Sequence, residues 1–158
     1  MTDELSHDDF WDRVGAVNAG MLETTGGQRG VPMTHHSDSE TRTLWFITST
    51  DTALVDEVGE GPVNATYTLA EGSKGLYAHL HGSLSLSHDR DKLDDLWSPA
   101  TDAWFEGGKD DPDVRLLSFS LTNGEAWLTP TGGIAFVLGI ARARITGTPP
   151  DMGTHLFV

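Results

Sequence analysis

Arg29-Gly-Val-Pro-Met-Thr-His-His36, a polar turn from Ser37 to Arg42, and then Thr43-Leu-Trp-Phe-Ile-Thr-Ser-Thr-Asp-Thr-Ala-Leu-Val-Asp56 form the stretch whose reading decides the fold. Two β-type runs are joined by a polar turn, and the second strand leads straight into a helix start. Thr43 to Thr48 carries large apolar groups on both alternation faces, Leu44 and Phe46 on one and Trp45 and Ile47 on the other. A strand of that kind is covered on both sides. Asp51 or Thr52 then caps a helix in which Leu54, Val55 and Val58 share one face. A buried strand that delivers a hydroxyl-rich turn and a helix start makes an anion site, because free backbone N–H groups point outward there.

Working outward, Thr2 to Arg13 reads as a short helix with Leu5, Phe10, Trp11 and Val14 available for packing. Ala16 to Thr25 is a first strand, and Thr25-Gly26-Gly27-Gln28 turns the chain into a second, Gly30 to His36. Downstream, Gly61-Pro62 breaks the helix, Val63 to Leu69 is the next strand, and Gly72-Ser73-Lys74-Gly75 is another turn. Leu76, Ala78, Leu80, Gly82, Leu84 and Leu86 then alternate with Tyr77, His79, His81, Ser83, Ser85 and Ser87. This predicts a long strand with one core face and one polar face. His88-Asp89 caps a helix through Trp97, and Ser98-Pro99 opens another to about Phe105. Glu106 to Pro112 is a loop. Arg115 to Leu121 and Glu125 to Thr129 are expected to form a hairpin about Asn123-Gly124, a strong turn signal. Ile134, Val137, Leu138, Ala141 and Ile145 fall at helical spacing and predict a helix over 134–145. Strands broken by short helices imply a single domain over residues 1–158, α+β but mainly β and antiparallel, closed as a barrel.

The bulk composition narrows the function. At 158 residues with 37% hydrophobic content, five Trp and six Phe, the chain supports a real core. Its formal net charge of −14 repels a phosphate backbone, and the closest arginine pair, Arg142 and Arg144, makes no basic patch, so no nucleic-acid partner is expected. The absence of cysteine excludes disulfides, thiolate catalysis and zinc–thiolate sites. The acidic N-terminus has no apolar h-region, and the longest apolar run, Ile134 to Leu138, is far too short to span a bilayer. No membrane association is expected, and the protein is placed in the cytoplasm.

Some residue clusters invite sharper readings. His79-x-His81 puts two imidazoles on one strand face, with His35 and His36 elsewhere, yet no carboxylate-supported motif accompanies them; they read as solvated or interface histidines, with no metal assigned. Gly26, Gly27 and Gly30 are turn residues and not a phosphate cradle, since the strand–loop–helix order and the Lys-Ser/Thr ending are missing. There is no Gly-x-Ser-x-Gly elbow, which removes a serine hydrolase. The carboxylates of 91–95 and 110–113 are solvated charges. Trp97, Trp104 and Trp127 are core anchors or aromatic walls. No residue is identified as a catalytic acid or base.

Three segments together resemble the pyridoxamine 5′-phosphate oxidase-like flavoproteins, in the general stress protein 26 branch. They are Pro32-Met33; Leu44-Trp45-Phe46-Ile47-Thr48-Ser49 followed by a helix; and Trp97-Ser98-Pro99 with Trp104-Phe105, Gly107-Gly108, Asp111-Pro112-Asp113 and Glu125-Ala126-Trp127. The resemblance covers about residues 8 to 147. It implies a six-stranded antiparallel split β-barrel with peripheral helices, a homodimer, and two small-molecule sites at the dimer interface holding FMN or another flavin or deazaflavin. It places Pro32, Met33, Phe46, Ile47, Thr48, Thr52, Trp104 and Trp127 at the cofactor, and it implies an oxidoreductase-like activity with unspecified substrate. The family's Arg-Pro-Met is here Val31-Pro32-Met33, and its Ser-x-Lys is here Thr52-Ala53-Leu54, so both basic phosphate anchors are aliphatic. Each charge-assisted bond to phosphate is worth about 1.5–3 kcal/mol, so two losses weaken FMN binding on the order of a hundredfold or more. Arg29 or Arg42 could substitute from nearby. The departures support a second reading, a non-catalytic split-barrel dimer that has lost FMN and binds a less anionic ligand or none. A third is haem or metal binding through the histidines.

Overall fold

The computed structural model describes residues 5–27, 29–59, 61–131, 133–147 and 153–158, and within 133–139 only the backbone. The chain opens with α1 (His7–Ala16), whose N-terminus carries a capping box: the Ser6 hydroxyl accepts from Asp9 N–H while the Asp9 carboxylate accepts from Ser6 N–H. Strands β1 (Ala19–Thr24), β2 (Val31–Thr34), β3 (His36–Asp38) and β4 (Thr43–Ser49) follow, then α2 (Ala53–Val58). After them come β5 (Val63–Glu71), β6 (Leu76–Ser87), α3 (Arg90–Leu96), α4 (Pro99–Asp102), β7 (Val114–Leu128), α5 (Gly133–Thr146) and β8 (Thr154–Phe157).

All strands belong to one eight-stranded antiparallel sheet in the order β2-β1-β5-β6-β7-β4-β3, with β8 added to β7. The two ends of that order are β2 and β3, which are separated in the chain by His35 alone. The run Gly30–His36 expected as one strand is thus a bent strand. Its first half pairs with β1 (Leu22 opposite Val31) and its second with β4 (His36 opposite Trp45). The bend carries one continuous segment from one end of the strand order to the other, which curls the sheet round on itself as a barrel. Counted with β2 and β3 as one, and without β8, the strands are the six of the expected split barrel.

Leu22, Leu44, Phe46, Tyr67, Leu80, Leu84, Leu117 and Phe119 fill the barrel and are fully buried. Each such side chain contributes about 1.5–3 kcal/mol by leaving water. A second cluster of Leu93, Val114 and Leu116 lies with Trp45, Ile47, Leu96, Trp97 and Phe105. Strand β4 therefore separates two cores, as its two apolar faces predict. The alternation of β6 is equally plain, with Leu76, Ala78, Leu80 and Leu84 buried and Tyr77, His79 and His81 exposed. Arg13 ties α1 to the barrel end by donating to the carbonyls of Gly75 and Thr129, each at 2.7 Å.

The fold corrects several expectations. No hairpin forms at Asn123-Gly124: β7 runs unbroken beside β6, from Ser87 opposite Leu116 to Leu76 opposite Leu128. The register shifts there, His81 facing Asn123 while Gly82 faces Leu121, so Thr122 is the extra residue of a bulge. Gly124 serves close strand approach, since a Cβ on it would lie 2.7 Å from the His79 carbonyl oxygen. Helix α2 stops earlier than Gly61-Pro62, at Gly59, whose φ of 55° only glycine takes readily. Its N-cap, Thr52, makes no side-chain capping bond. The helix near the C-terminus is present, but Ile145, placed on its apolar face, is exposed, and the side chains of Ile134, Val137 and Leu138 lie outside the described residues. The first three residues of the expected N-terminal helix, 2–4, likewise lie outside them, and the observed helix starts at His7 and runs on to Ala16.

Candidate functional site

A cleft of about 610 Å³ opens where β2, the start of β3, the end of β4 and α4 meet. Strand β2 supplies Pro32, Met33 and Thr34, and the bend at His35 turns His36 into the same space. Strand β4 contributes Ile47, Thr48 and Ser49, and the turn after it Asp51 and Thr52. The remaining wall is Ser98, Ala100, Thr101, Trp104 and Phe105. That wall is held by local bonds: the Ser98 hydroxyl caps α4 by accepting from Thr101 N–H at 3.2 Å, and Trp97 Nε1 donates to Asp102 at 3.2 Å. Phe105 packs on Trp97 with ring centroids 5.7 Å apart, which leaves Trp104 projecting at the cleft margin, 85% exposed.

The polar groups at the cleft end of β4 are largely occupied. Thr48 Oγ1 donates to Thr52 Oγ1 at 3.3 Å, and Thr52 Oγ1 donates to the Ser49 carbonyl at 2.8 Å. Both hydroxyl protons are thereby used inside the turn, leaving lone pairs toward the cleft. Asp51 is the charged side chain of the lining, and among the described residues no Lys or Arg lines this space. Burial pushes the His36 imidazole below its usual range, so the ring is neutral near pH 7.

Of the residues assigned to the site by sequence, Pro32, Met33, Ile47, Thr48, Thr52 and Trp104 are gathered in this cleft. Phe46 and Trp127 are not. Phe46 alternates with Ile47, so its side chain turns into the barrel and packs edge-on to Tyr67 with centroids 5.1 Å apart. Trp127 stacks on His155 of β8, centroids 5.1 Å apart and planes within 12°. The sequence reading missed His36, Ser98, Ala100 and Thr101 as lining residues, because only the bend at His35 and the return of α4 over β4 bring them together. It missed β8 as well. That strand is four residues long and alternates only between half-buried and exposed positions, although the Gly, Pro and Asp residues of 147–153 are a turn signal ahead of it.

A second space of about 360 Å³ adjoins the first, sharing Pro32, Met33 and Thr52 with it and bounded further by Arg29, Val31, Ala53, Leu54 and Glu57. Both aliphatic replacements, Val31 and Leu54, thus stand together, with Arg29 beside them; Arg42 lines neither space. On the outer sheet face, His79 and His81 have ring centroids 4.7 Å apart and His81 pairs with the Thr66 hydroxyl. Among the described residues no group of three His, Cys, Asp or Glu is arranged to hold a metal ion, and no helix is long and apolar enough to cross a membrane.

A model of the family described as pyridoxamine 5′-phosphate oxidase like matches residues 6–151. The fold is similar to the crystal structure of a general stress protein 26 from Jannaschia sp. CCS1, with 43% identity, a TM-score of 0.90 and 96% of each chain covered. It is similar also to the general stress FMN/FAD binding protein from Xanthomonas citri, with 30% identity, a TM-score of 0.71, and 79% of this chain and 89% of that one covered. Protein bli-3 of Neurospora crassa is 24% identical over 114 residues, which are 67% of this chain and 54% of that protein. The chain thus spans about half the length of this curated relative.

Proposed function

The chain belongs to the pyridoxamine 5′-phosphate oxidase like family, and on that premise we propose that it is a flavin-binding, oxidoreductase-type protein that works as a cytoplasmic homodimer. The observation that carries this reading is the cleft. Its sides are apolar at Pro32, Met33, Ile47 and Phe105, with the indole of Trp104 at the margin, a lining suited to a flat aromatic ring system.

The residues present fit the ring of a flavin and do not fit the terminal phosphate of FMN. Asp51 is the charged group of the lining, and the hydroxyls of Thr48 and Thr52 donate to partners within their own turn. A bound flavin supplies one- and two-electron redox chemistry. The chain's part is to hold the ring against Pro32, Met33 and Ile47, to exclude water from it, and to offer the neutral His36 imidazole as a proton or hydrogen-bond acceptor at the wall.

Support for the dimer comes from the outer sheet face, where Tyr77, Trp127 and Phe157 are exposed on the adjacent strands β6, β7 and β8, with Met21 exposed on β1 beyond β5. Apolar surface of this kind marks interfaces more often than open solvent faces. Trp127 stands on this face, outside its own chain's cleft, so its contact with a flavin requires the partner copy.

The deciding experiment is the visible spectrum of the purified protein before and after incubation with excess FAD, FMN or riboflavin and desalting. A retained flavin spectrum is the expected result. A protein that stays colourless with all three overturns the reading. It would select instead a non-catalytic dimer with a different ligand or none, which the acidic, lysine-free cleft favours.

A further inference from the structure

We propose that the smaller space beside the cleft is a subsite for the far end of the ligand. That end is an aromatic or apolar group reached through singly charged linkages, as in a dinucleotide flavin, and not a free terminal phosphate. The inference rests on the flavin reading of the main cleft and specifies which flavin is preferred.

Continuity is the first observation. Pro32, Met33 and Thr52 line both spaces, so a ligand seated against them in the cleft has its next part in the adjoining 360 Å³. The walls are the second. Val31, Ala53 and Leu54 present aliphatic surface there, which rewards burial of a flat ring and gives nothing to a phosphate oxygen.

Charge is the third. Arg29 and Glu57 bring one cation and one carboxylate to the same space, and Thr24 Oγ1 holds the Glu57 carboxylate at 2.5 Å. Asp51 adds a further carboxylate in the adjoining cleft. A terminal phosphate carries roughly −1.5 to −2 at pH 7 and would face one cation against two carboxylates. The two phosphates of a dinucleotide carry about the same total, but as one charge on each, so Arg29 can meet one while the other stays toward solvent and the ring beyond enters the aliphatic space.

Equilibrium titration of the full-length chain with riboflavin, FMN and FAD, read by flavin fluorescence at one ionic strength, tests this. FAD is expected to bind at least about tenfold tighter than FMN. FMN binding as tightly as FAD, or more tightly, would overturn the subsite while sustaining the flavin reading. Val31 is 36% exposed, so a larger side chain there is compatible with folding. Val31→Trp fills the space and should weaken FAD about tenfold while leaving riboflavin within about twofold; equal losses for both would count against the subsite. Val31→Arg adds a second cation and should raise FMN relative to FAD. If the native chain binds none of the three but Val31→Arg binds FMN, the flavin reading fails and the exclusion of a free phosphate stands. If neither protein binds any flavin, both fall.

Discussion

His35 and Tyr67 meet at the corner of the barrel, with Nδ1 of the imidazole 2.6 Å from the phenolic oxygen and both side chains buried. Nε2 of the same ring lies 2.7 Å from the Val14 carbonyl, which can only accept, so Nε2 carries a hydrogen. In the neutral ring Nδ1 therefore accepts from the Tyr67 hydroxyl. That hydroxyl is also 2.9 Å from the carbonyl of Met33, a residue of the cleft. Protonating His35 would make Nδ1 a donor to Tyr67 and turn the hydroxyl to Met33. Burial holds the His35 imidazole below its usual range, against the opposing pull of the Val14 carbonyl and with a small added push from His36. Burial pushes the Tyr67 hydroxyl up, so it keeps its proton.

A depressed folded-state value means that the unfolded chain binds the proton first as pH falls. The stability that neutral His35 contributes is complete above the unfolded value of about 6.5 and declines as pH drops below it. His36 acts with the same sign. Urea denaturation of the native protein and of His35→Gln across this range should therefore give a shallower acid decline for the variant. Identical pH slopes would refute the role assigned to His35. His35→Ala, which also strands the Val14 carbonyl and opens a cavity, should cost about 2–4 kcal/mol.

Gly82 faces Leu121 beside the β6–β7 bulge, where a Cβ would collide with the Ser120 carbonyl oxygen and lie 2.8 Å from Phe119 Cζ. Gly82→Ala should destabilise by about 1–3 kcal/mol through forced separation of the strands. Gly61→Ala is the control, since a Cβ there meets nothing within 4 Å. Thermal melts of the two variants should separate clearly, and equal melting temperatures would contradict the strand pairing.

Trp104 is nearly free of packing, so Trp104→Ala should change stability by less than about 0.5 kcal/mol. Flavin affinity should nonetheless fall about fivefold or more, equivalent to one aromatic contact of about 1 kcal/mol. Unchanged affinity would place the ring away from the α4 wall.

Phe157 is 72% exposed at the end of β8, next to the Trp127–His155 stack. If this face joins two copies, sedimentation velocity should show a dimer for the native chain and a shift toward monomer for Phe157→Lys. A native monomer at high concentration would remove the homodimer.

Local patterning made much of this protein legible in one dimension. The alternation of 76–87 and the two apolar faces of 43–48 require a half-covered and a fully covered strand, because side chains in a strand alternate whatever lies around them. Capping chemistry at Ser98-Pro99 and Asp89 likewise acts within a few residues and appears where expected. Asn123-Gly124 marks the boundary of such reasoning. The dipeptide suits a tight turn, but strand β6 offers twelve residues of pairing surface, and continuing along it satisfies more backbone groups than turning back. The same boundary runs through the site. Pro32, Met33, Ile47, Thr48, Thr52 and Trp104 could be named from the sequence, through family resemblance. That His36 joins them depends on the bend at His35, while Phe46 is kept out by its alternation with Ile47 and Trp127 by its stacking on β8; that Val31 and Leu54 share a wall with Arg29 shows only once the chain is folded. Composition and periodicity determined the strands and the covered face of each; the closure of the sheet, a contact between its two distant edges, decided which side chains face one another across the cleft.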